Sequence, residues 1–436
     1  MASALSVFLP ALIIANLVAA DQQITCGADT TDSCLYKGKL SKHTQLRNIT
    51  CRTTKSNCAS ECCSACAAQQ GCNSWTVWPH GGTSKCFLTT WHTINGPGSN
   101  DCASGIMHGP SPAPPVPPPK DAKNVLLVIV DDMRPQLNAA YGQTFMVTPN
   151  LDKLAKSQGA VVFDRAYVQV AWCSPSRNSF LTSRYPDTLQ IWDFGKSFRD
   201  TPENPPDNST RPDMKVIPMP QWFKHNGYLS LGGGKVYHPN QPFNNDVPYS
   251  WSPGPIPYFN FSDPACPNSP GNNKVGCQGC PEDAPDEKFY DWKLANHTIH
   301  ALRSAKADPQ QRPFFIAAGF RRPHTPWHIA QRFVDMYPTN LSEVPAAKFP
   351  SWAHGAPPCA FVCGGDGVGC DFDIDHPRNT SWSSLCRRTY YAAVTATDHY
   401  IGLVLDELDA LDLTSTTAVA VFGDHGACVR VCVCVG

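Results

Sequence analysis

The sequence has no excess of basic charge. Its 436 residues include 35 Lys and Arg and 36 Asp and Glu, which gives a formal net charge of −1 at pH 7. Proteins that bind the phosphates of nucleic acids normally carry clusters of Lys and Arg, so this composition argues against a nucleic-acid partner. An anionic ligand would therefore have to bind at a local site.

The sequence also lacks a second hydrophobic run of membrane-spanning length. Residues 1–20, MASALSVFLPALIIANLVAA, are mostly apolar, lack basic flanks and end in small residues that suit signal cleavage. We predict a signal peptide over residues 1–20, no membrane span after its removal, and passage through the secretory pathway to an extracellular or lysosomal destination. Six glycosylation sequons agree with this route: Asn48, Asn208, Asn260, Asn296, Asn340 and Asn379.

Cysteine is unevenly distributed, and its distribution divides the chain. Ten of the 21 cysteines lie between Cys26 and Cys102, a density typical of small extracellular modules that disulfides stabilise. The proline-rich stretch GPSPAPPVPPPK, residues 109–120, favours an extended polyproline conformation. The predicted parts after the signal peptide are a cysteine-rich module (21–108), a linker (109–122), a large domain (123–426) and a short tail (427–436).

The cysteine-rich module contains ASECCSACAAQQGCNSWTVWPHGGTSKCFL, residues 59–88. This stretch resembles the PAN/Apple family, in which a cysteine-bearing helix precedes an aromatic strand and a later strand that contains cysteine. The resemblance implies a carbohydrate or protein ligand, and the alternative is a cysteine-rich cap of another kind. Zinc is a rival explanation for Cys62, Cys63 and Cys66, but an oxidising compartment favours disulfides.

The large domain alternates buried strands with helices. NVLLVIV (124–130), PFFIAAGF (313–320) and TAVAVFG (417–423) are apolar runs typical of strands buried on both faces. A helix is predicted from an N-cap at Thr148 to a stop at Gly159, and the stretch from Cys386 to Leu411 has long helical periodicity. These elements predict an α/β sandwich with a mostly parallel central sheet, preceded by the small disulfide-rich module.

Acidic residues follow two of these strands. Asp131 and Asp132 end the first strand, and Asp424 and His425 end the last. Ligand sites in such sheets lie at the carboxyl ends of the strands, and carboxylates are the ligands that Ca²⁺ or Mg²⁺ prefers. The alternative is that the paired aspartates only begin a turn, but a second carboxylate at the same edge favours a metal site.

Cys173 begins CSPSR, which fits the pattern Cys-x-Pro-x-Arg. SRNSFLTSRYPDT continues it, and NVLLVIVDDMRP, TPNLDKLA, GKVYHP, FIAAGFRRPHTPW and VFGDHG occur around it in the expected order. Over residues 123–426 these blocks resemble the type I sulfatases of the alkaline phosphatase superfamily. DDMRP, KVYHP and GFRRPHTPW are most similar to the iduronate-2-sulfatase branch.

This resemblance implies an alkaline-phosphatase-like fold and the hydrolysis of sulfate esters, with 2-O-sulfate on uronic acids of sulfated glycans as the expected substrate. It implies that the formylglycine-generating enzyme oxidises Cys173 to formylglycine. One hydroxyl of the aldehyde hydrate would attack sulfur, and the second would expel sulfate. One calcium ion would be held by Asp131, Asp132, Asp424, His425 and the modified residue 173.

The same resemblance suggests roles for four other residues. Arg177, one helical turn after Cys173, would stabilise the hydrate and the sulfate charge. Lys235 and His238 of GKVYH would contact the sulfate, and His324 of RRPH would act as general acid at the leaving oxygen. Outside this motif context, a surface salt bridge or a solvated histidine would be the ordinary explanation for each.

Substrate choice has weaker signals. Asp193 falls where the iduronate branch keeps an aspartate near its pocket, and Arg321 or Arg322 would steer or bind a uronate carboxylate.

After residue 426 the sequence departs from the family. A sulfatase continues with an aromatic residue, Leu-Gly-Glu and a second active-site lysine, whereas residues 427–436 read ACVRVCVCVG. The resemblance therefore implies an incomplete catalytic domain and leaves the activity of the chain as written open. Two alternatives stand beside the sulfatase hypothesis: a phosphate or phosphonate ester hydrolase of the same superfamily, and an inert glycan-binding protein.

Overall fold

The computed structural model describes residues 116–200, 216–239, 241–247, 249–253, 258–259, 279–345 and 380–426, together with the backbone of four N-terminal strands. The chain divides into two compact units, residues 1–112 with 207–213 and residues 113–206 with 214–436. The predicted signal peptide, most of the cysteine-rich module and the tail lie outside the described residues. The predicted domain limits therefore stay predictions.

The N-terminal unit contains a four-stranded antiparallel sheet in the order β1-β3-β2-β4. Its strands are β1 (Gln45–Cys51), β2 (Ser74–His80), β3 (Thr83–Thr89) and β4 (Ala103–Ile106). In the sequence, only Gly81 and Gly82 separate β2 from β3, and glycine suits a two-residue hairpin turn. The helix expected before β2 from the PAN/Apple resemblance lies outside the described residues.

The second unit supplies the remaining elements. In chain order these are β5 (Asn124–Val130), α1 (Asn138–Tyr141), α2 (Pro149–Ala155), α3 (Cys173–Thr182), α4 (Pro186–Leu189), α5 (Met219–His225), β6 (Leu229–Gly234), β7 (Cys280–Glu282), α6 (Tyr290–Lys306), β8 (Phe314–Phe320), β9 (His328–Ala330), α7 (Gln331–Val334), α8 (Thr380–Ala410) and β10 (Thr417–Gly423).

The central sheet of this unit is parallel throughout, in the order β10-β5-β8-β6. Strand β5 shows why it lies in the middle. Its residues alternate between two hydrophobic clusters, with Leu126 and Val128 in one and Leu127 and Ile129 in the other. Each fully buried aliphatic side chain contributes about 1.5–3 kcal/mol to folding. Layers on both faces therefore fix the position of the strand.

Helices α6 and α8 cover one face of the sheet. Leu294 and Leu302 of α6 and Ile401 of α8 belong to the same cluster as Leu126. The other face is covered by shorter helices, because Leu181 of α3 and Leu189 of α4 pack in the cluster of Leu127. The long and the short helices thus form the two outer layers of an α/β sandwich.

The observed architecture confirms the predicted α/β class with a parallel central sheet. Strands predicted over residues 124–130 and 417–423 have those limits, and the strand predicted over 313–320 is Phe314–Phe320. The prediction that residues 417–423 are buried on both faces is wrong, because Ala418 and Ala420 of β10 are exposed and its other residues are only half-buried. Helix α2 has Thr148 as its N-cap but ends at Ala155, so Gly159 does not end it. Within the part of the chain that the structure describes, no helix is long and apolar enough to cross a bilayer.

Candidate active site

The carboxyl ends of the parallel strands bring the predicted polar residues to one edge of the sheet. Asp131 follows β5, Asp424 follows β10, Lys235 follows β6 and Arg321 follows β8. Because all four strands run in the same direction, residues far apart in sequence meet at this edge. The four strands therefore act as a common support for the site.

Cys173 is the first residue of α3, and its thiol lies at the centre of this edge. Its Sγ atom is 3.5 Å from Oδ1 of Asp131, 3.4 Å from Nζ of Lys235 and 3.1 Å from Nε2 of His425. Its side chain is only 5% exposed. Among the described cysteines its thiol is free, whereas Cys280 and Cys386 are disulfide-bonded. Burial, and next the negative charge of Asp131, raise the pKa of this thiol.

Arg177 lies one turn further along α3 and is almost fully buried. Its guanidinium bridges two carboxylates, with Nη2 2.9 Å from Oδ1 of Asp131 and Nε 3.0 Å from Oδ2 of Asp424. Nη1 donates to the backbone carbonyls of Lys235 and Val236. Arg177 therefore orients the two carboxylates, and in this structure it does not line the cavity described below.

The pKa values of the two buried carboxylates, Asp131 and Asp424, are shifted in opposite directions. Burial would raise the pKa of Asp131, but the charges of Lys235, His324 and Arg177 outweigh burial and hold that pKa well below its usual range. The pKa of Asp424 is raised overall, chiefly by burial. The charge of Arg177 lowers this pKa, and the charge of Asp131 raises it. Lys235 gains correspondingly: burial lowers its pKa, but the carboxylate of Asp131 outweighs burial and raises it overall.

His425 joins this group from the loop after β10. Its Nε2 atom faces Cys173 and is 3.5 Å from Oδ2 of Asp424, while Nδ1 is 3.3 Å from Oδ1 of Asp132. Burial lowers the pKa of His425, but the carboxylates of Asp424 and Asp132 outweigh burial and raise it. Asp132 therefore contacts His425 at Nδ1, the ring nitrogen that does not face Cys173.

Asp132 is held by backbone contacts as well. It adopts a left-handed conformation with φ of 63°, its N–H donates to Oδ1 of Asp424, and its carbonyl accepts from the hydroxyl of Tyr390. The same hydroxyl accepts from the N–H of Arg134 at 2.9 Å. Tyr390 is fully buried in α8, so that helix braces the loop that carries the acidic pair.

These residues have the donor set of a cation site. Ligand atoms of Asp131, Cys173, Asp424 and His425 all lie within 4.8 Å of one another. Buried carboxylates are costly unless they are paired or bind a metal, and oxygen donors suit a hard cation such as Ca²⁺. The cysteine sulfur is the poorest donor of the four for such an ion, whereas an oxygen species at residue 173 would match the carboxylates. Four of the five predicted ligands therefore form a possible metal-binding group, and Asp132 lies outside it.

A cavity of about 150 Å³ opens beside Lys235, whose ammonium contacts the thiol of Cys173, although Cys173 itself does not line the cavity. It contains the predicted Lys235, His238 and His324, and no carboxylate lines it. Its walls consist of Gly234, Lys235, Tyr237, His238, Pro239, Asn245, Tyr290, Arg321 and His324. Lys235 and Arg321 bring positive charge to the cavity wall, whereas Asp131, which contacts Lys235, does not line the cavity. The cavity is therefore suited to an anionic group.

His238 remains neutral in this environment. Burial lowers its pKa to about 3, and the charges of Lys235 and Arg177 act in the same direction. Its Nδ1 atom is buried and has no hydrogen-bond partner among the described residues. The ring packs against Phe194 with centroids 4.7 Å apart, and Phe194 contacts Trp172 edge-on at 4.9 Å. A row of rings therefore runs from Trp172, the residue before Cys173, through Phe194 to His238 in the cavity wall.

His324 occupies the turn after β8. Its Nδ1 lies within hydrogen-bond distance of the carbonyl of Thr325, and since a carbonyl only accepts, Nδ1 carries the proton. Nε2 is then the atom available for proton transfer. Arg322, in contrast to Arg321, is buried and donates to the carbonyls of His324 and His328, so it shapes the turn.

Sequence reasoning missed the residues that support the site. Tyr290 and Asn245 line the cavity, Tyr390 braces the Asp132 loop, and buried Asp291 binds the turn after β8. None lies in a quoted motif, and in the sequence each resembles an ordinary helix or loop residue. The predicted Asp193 is exposed and accepts from the N–H of Gly195, while its neighbour Phe194 reaches the site.

Comparisons with known proteins agree on one family. The family described as Sulfatase matches residues 123–431. The iduronate 2-sulfatase of Homo sapiens is 33% identical over 320 residues, which cover 70% of this chain and 55% of that protein. A sulfatase of Formosa agariphila is 27% identical over 327 residues, which cover 70% of this chain and 59% of that protein.

Among solved structures, a phosphonate monoester hydrolase of Agrobacterium radiobacter aligns with a TM-score of 0.48 and 19% identity. That alignment covers 70% of this chain and 63% of the hydrolase. The chain spans a little over half the length of the curated relatives it matches.

Proposed function

Because this chain belongs to the sulfatase family, we propose that it hydrolyses sulfate monoesters at the edge of the sheet around Cys173. The reaction would convert an ester R–O–SO₃⁻ and water into the alcohol R–OH, sulfate and a proton. The observation that carries the proposal is the environment of the Cys173 thiol, which lies within 3.5 Å of a carboxylate, 3.4 Å of an ammonium and 3.1 Å of an imidazole. Lys235, which contacts the thiol, also lines a cavity to which Arg321 adds a second positive charge.

Within this proposal, Cys173 is converted to formylglycine, whose hydrate supplies an oxygen nucleophile for sulfur and a second hydroxyl for the release of sulfate. Asp131, Asp132, Asp424 and His425 would hold one calcium ion with that residue, and the ion would supply positive charge for the sulfate oxygens.

The protein's own side chains then perform the remaining work. Lys235 would bind a sulfate oxygen in the cavity, and its contact with Asp131 keeps its ammonium oriented. Neutral His238 would donate a hydrogen bond from its ring N–H to a sulfate oxygen. Arg177 would hold Asp131 and Asp424 in fixed positions, since its Nε and Nη2 groups donate to the two carboxylates.

His324 would act as general acid. Its Nδ1–H is engaged by Thr325, so Nε2 in the protonated ring is the donor. The proton would pass from Nε2 to the ester oxygen while the S–O bond breaks, and the electron pair of that bond stays on the oxygen. The alcohol then leaves uncharged.

We further propose a 2-O-sulfated uronic acid of a sulfated glycan as the substrate. The 33% identity to a protein called iduronate 2-sulfatase supports this choice. So does Arg321, whose guanidinium lines the cavity and lies 5.9 Å from the centre of the Tyr290 ring, at a position suited to a sugar carboxylate. Asp193, one residue from Phe194, is proposed to flank the same pocket.

The remaining parts of the chain are proposed to serve secretion and targeting. Residues 1–20 would direct the chain into the secretory pathway, where the formylglycine-generating enzyme would be a transient partner. Residues 21–108 would bind carbohydrate or protein. Glycosidase treatment of the protein secreted by cultured cells tests the route, because Asn340 is one sequon with an exposed side chain.

The test of function has two parts. Mass spectrometry of the tryptic peptide 166–177 should detect the aldehyde when the full chain is secreted from cells that contain the generating enzyme. Sulfate release should then be measured on nitrophenyl sulfate and on a disaccharide with a 2-sulfated uronic acid. The variants are Cys173→Ala and, as a matched control, Asp406→Ala at an exposed position of α8.

We expect release of sulfate by the wild type and by Asp406→Ala, and none by Cys173→Ala. Faster cleavage of a phosphonate monoester than of either sulfate would support the alternative superfamily activity. A folded chain with the aldehyde at residue 173 and no release from any ester would contradict the proposal for this polypeptide.

A further inference from the structure

The end of strand β8 connects several parts of the site. The carbonyl of Gly319 accepts from the N–H of Lys235 at 2.7 Å, and the carbonyl of Phe320 accepts from the N–H of Asp131 at 3.0 Å. The next two residues, Arg321 and Arg322, begin the turn that leads to His324. Residues 319 and 320 are thus bound to the neighbouring strand ends, and the turn that carries His324 begins directly after them.

Asp291 binds that strand end from the first turn of α6. Its side chain is 2% exposed, and its two oxygens are divided between adjacent backbone donors. Oδ1 accepts from the N–H of Arg321 at 2.8 Å and Oδ2 from the N–H of Arg322 at 2.9 Å. Hydrogen bonds to an ionised acceptor are about twice as strong as neutral ones, so this is a firm attachment of helix to turn.

The turn has further supports that lead to His324. The N–H of His324 donates to the carbonyl of Arg321 at 2.9 Å, and the hydroxyl of Thr397 donates to the carbonyl of Arg322 at 3.0 Å. Tyr290, the residue before Asp291, lines the same cavity as Arg321 and His324. The start of α6 thus supplies both a wall of the cavity and the attachment of the turn that carries the proposed acid.

We propose that Asp291 is a positioning residue for the proton transfer from His324. Its carboxylate fixes the backbone of residues 321 and 322, and through the hydrogen bond between His324 and Arg321 it fixes the imidazole at the cavity. The inference rests on the proposed function, since it assigns His324 Nε2 as the proton donor to the ester oxygen. Asp291 itself touches no substrate.

Leaving groups of different basicity separate positioning from a general structural effect. Nitrophenolate is a weak base and leaves without a proton, whereas the alkoxide of a sugar must be protonated as the S–O bond breaks. A displaced His324 therefore slows the cleavage of a sugar sulfate and not that of nitrophenyl sulfate. Partial unfolding reduces the active fraction and slows both equally.

The main variant is Asp291→Asn, which keeps the size of the side chain but turns an NH₂ group towards one of the two N–H donors. We expect kcat on the sulfated disaccharide to fall by about 10–100-fold, which is part of the roughly 10²–10⁴-fold that general acid catalysis contributes. On nitrophenyl sulfate kcat should change less than about threefold, and KM for that substrate should stay close to wild type. Thr397→Val, which removes the support on the other side of the turn, should give the same pattern with a smaller loss.

The matched control is Asp308→Asn. Asp308 lies just past the other end of α6, is also largely buried, and accepts from the N–H and the guanidinium of Arg312. This control should leave the ratio of the two kcat values unchanged. An equal fall on both substrates in Asp291→Asn, or no fall on either, would overturn the inference.

Hydrogen exchange gives a readout that does not require turnover. In the full chain, a peptide that contains residues 321–328 should exchange its amides faster in Asp291→Asn than in the wild type or in Asp308→Asn. Unchanged exchange would overturn the inference even if the wild type proves inactive. A wild type that releases no sulfate but shows the faster exchange in the variant would contradict the proposed function and retain the attachment.

Discussion

Asp131 is the single residue on which the charge balance of the site depends. Its carboxylate contacts the ammonium of Lys235 and the guanidinium of Arg177 and lies near the thiol of Cys173. Two cations beside two fully buried aspartates leave little net charge among these four groups, and Asp132 adds a further negative charge. A divalent cation bound at this edge of the sheet would interact favourably with the carboxylates of Asp131, Asp132 and Asp424.

Calcium should stabilise the folded chain through Asp424. A ligand that binds only the folded state adds about 2.7 kcal/mol at a hundred times its Kd, so Tm should rise with added Ca²⁺. Asp424→Asn removes one negative oxygen from the donor set and should abolish most of that rise, whereas Asp406→Asn on the exposed side of α8 should retain it. Thermal unfolding of the three proteins in calcium and in chelator makes the comparison. An equal rise in all three would place the cation elsewhere.

His238 should make the stability of the protein fall in acid. Burial lowers its pKa to about 3 in the folded state, whereas an unfolded histidine titrates near 6.5. Between these two pH values the unfolded chain binds a proton that the folded chain does not, so stability is lost as the pH falls from about 6.5 towards 3.

The variant that tests this titration is His238→Gln, and Tm should be measured from pH 7 to pH 4.5. The fall in Tm should be shallower in the variant than in the wild type. His300→Gln, at an exposed position of α6, serves as control and should keep the wild-type slope. Parallel slopes for all three proteins would show that His238 is not held neutral.

At the scale of single elements, β8 and the end of β6 are in unusually close contact. A Cβ atom on Gly319 would lie 2.1–2.4 Å from backbone atoms of Lys235 and Val236. Only glycine allows the two backbones to approach so closely, and this approach sets the position of the Lys235 ammonium.

Gly319→Ala should therefore force the strand ends apart. Overpacking of this kind typically costs about 1–3 kcal/mol, and here the displaced group is backbone that cannot turn away. Urea unfolding measures the loss. Gly195→Ala is a suitable comparison, because the added Cβ would meet only the side chain of Asp193 at 3.0 Å, and it should unfold close to the wild-type midpoint. Equal midpoints for both variants would mean that the strands tolerate separation.

The strands and motif residues could be predicted from the sequence for definite physical reasons. A strand buried on both faces needs an unbroken apolar run, so the limits of β5 are visible in the sequence. The apolar run of β10 also gives its limits, although that strand is exposed or half-buried along its length. Asp131 and Asp424 directly follow such runs, and parallel strands bring them to one edge. The roles given to Arg177, Lys235, His238 and His324 stay predictions, although Lys235 contacts Cys173 and lines one cavity together with His238 and His324.

The supporting residues could not be predicted in this way. Asp291 and Tyr390 act through contacts with residues about 30 and 258 positions away, and such contacts have no periodicity in the sequence. Asp291 follows a tyrosine at the start of an ordinary helix, and its position suggests a first-turn acidic residue that interacts with the helix dipole. The pairing of Asp291 with the turn after β8 appears only when helix and strand are packed together.

At the scale of the whole molecule, two buried cysteines of the second unit take part in disulfide bonds. Cys280 in β7 and Cys386 in α8 are both disulfide-bonded and buried. Each cross-link typically contributes about 2–4 kcal/mol, so a strong reductant should lower Tm by several degrees. Cys173→Ser has lost only the free thiol and should show the same sensitivity to reductant as the wild type.

Thermal scans with and without phosphine reductant test this dependence, with mass spectrometry to show that Cys386 has been reduced. A Tm that stays constant after reduction would contradict the structural role of these bonds. A marked fall would agree with the proposed secretory route, since such bonds persist in oxidising compartments.

Because the Cys173 thiol is buried in the folded protein, its modification has to take place before folding is complete. In the folded protein its sulfur is enclosed, and one of the groups that enclose it, His425, lies 252 residues later in the chain. At a synthesis rate of about 5–20 residues per second, that stretch takes about 13–50 s to emerge. An oxidising enzyme that needs an extended, accessible segment has roughly this interval and the subsequent folding time in which to act. The yield of active protein would then depend on the rate of modification relative to the rate of folding. A variant that folds faster would therefore be converted less completely.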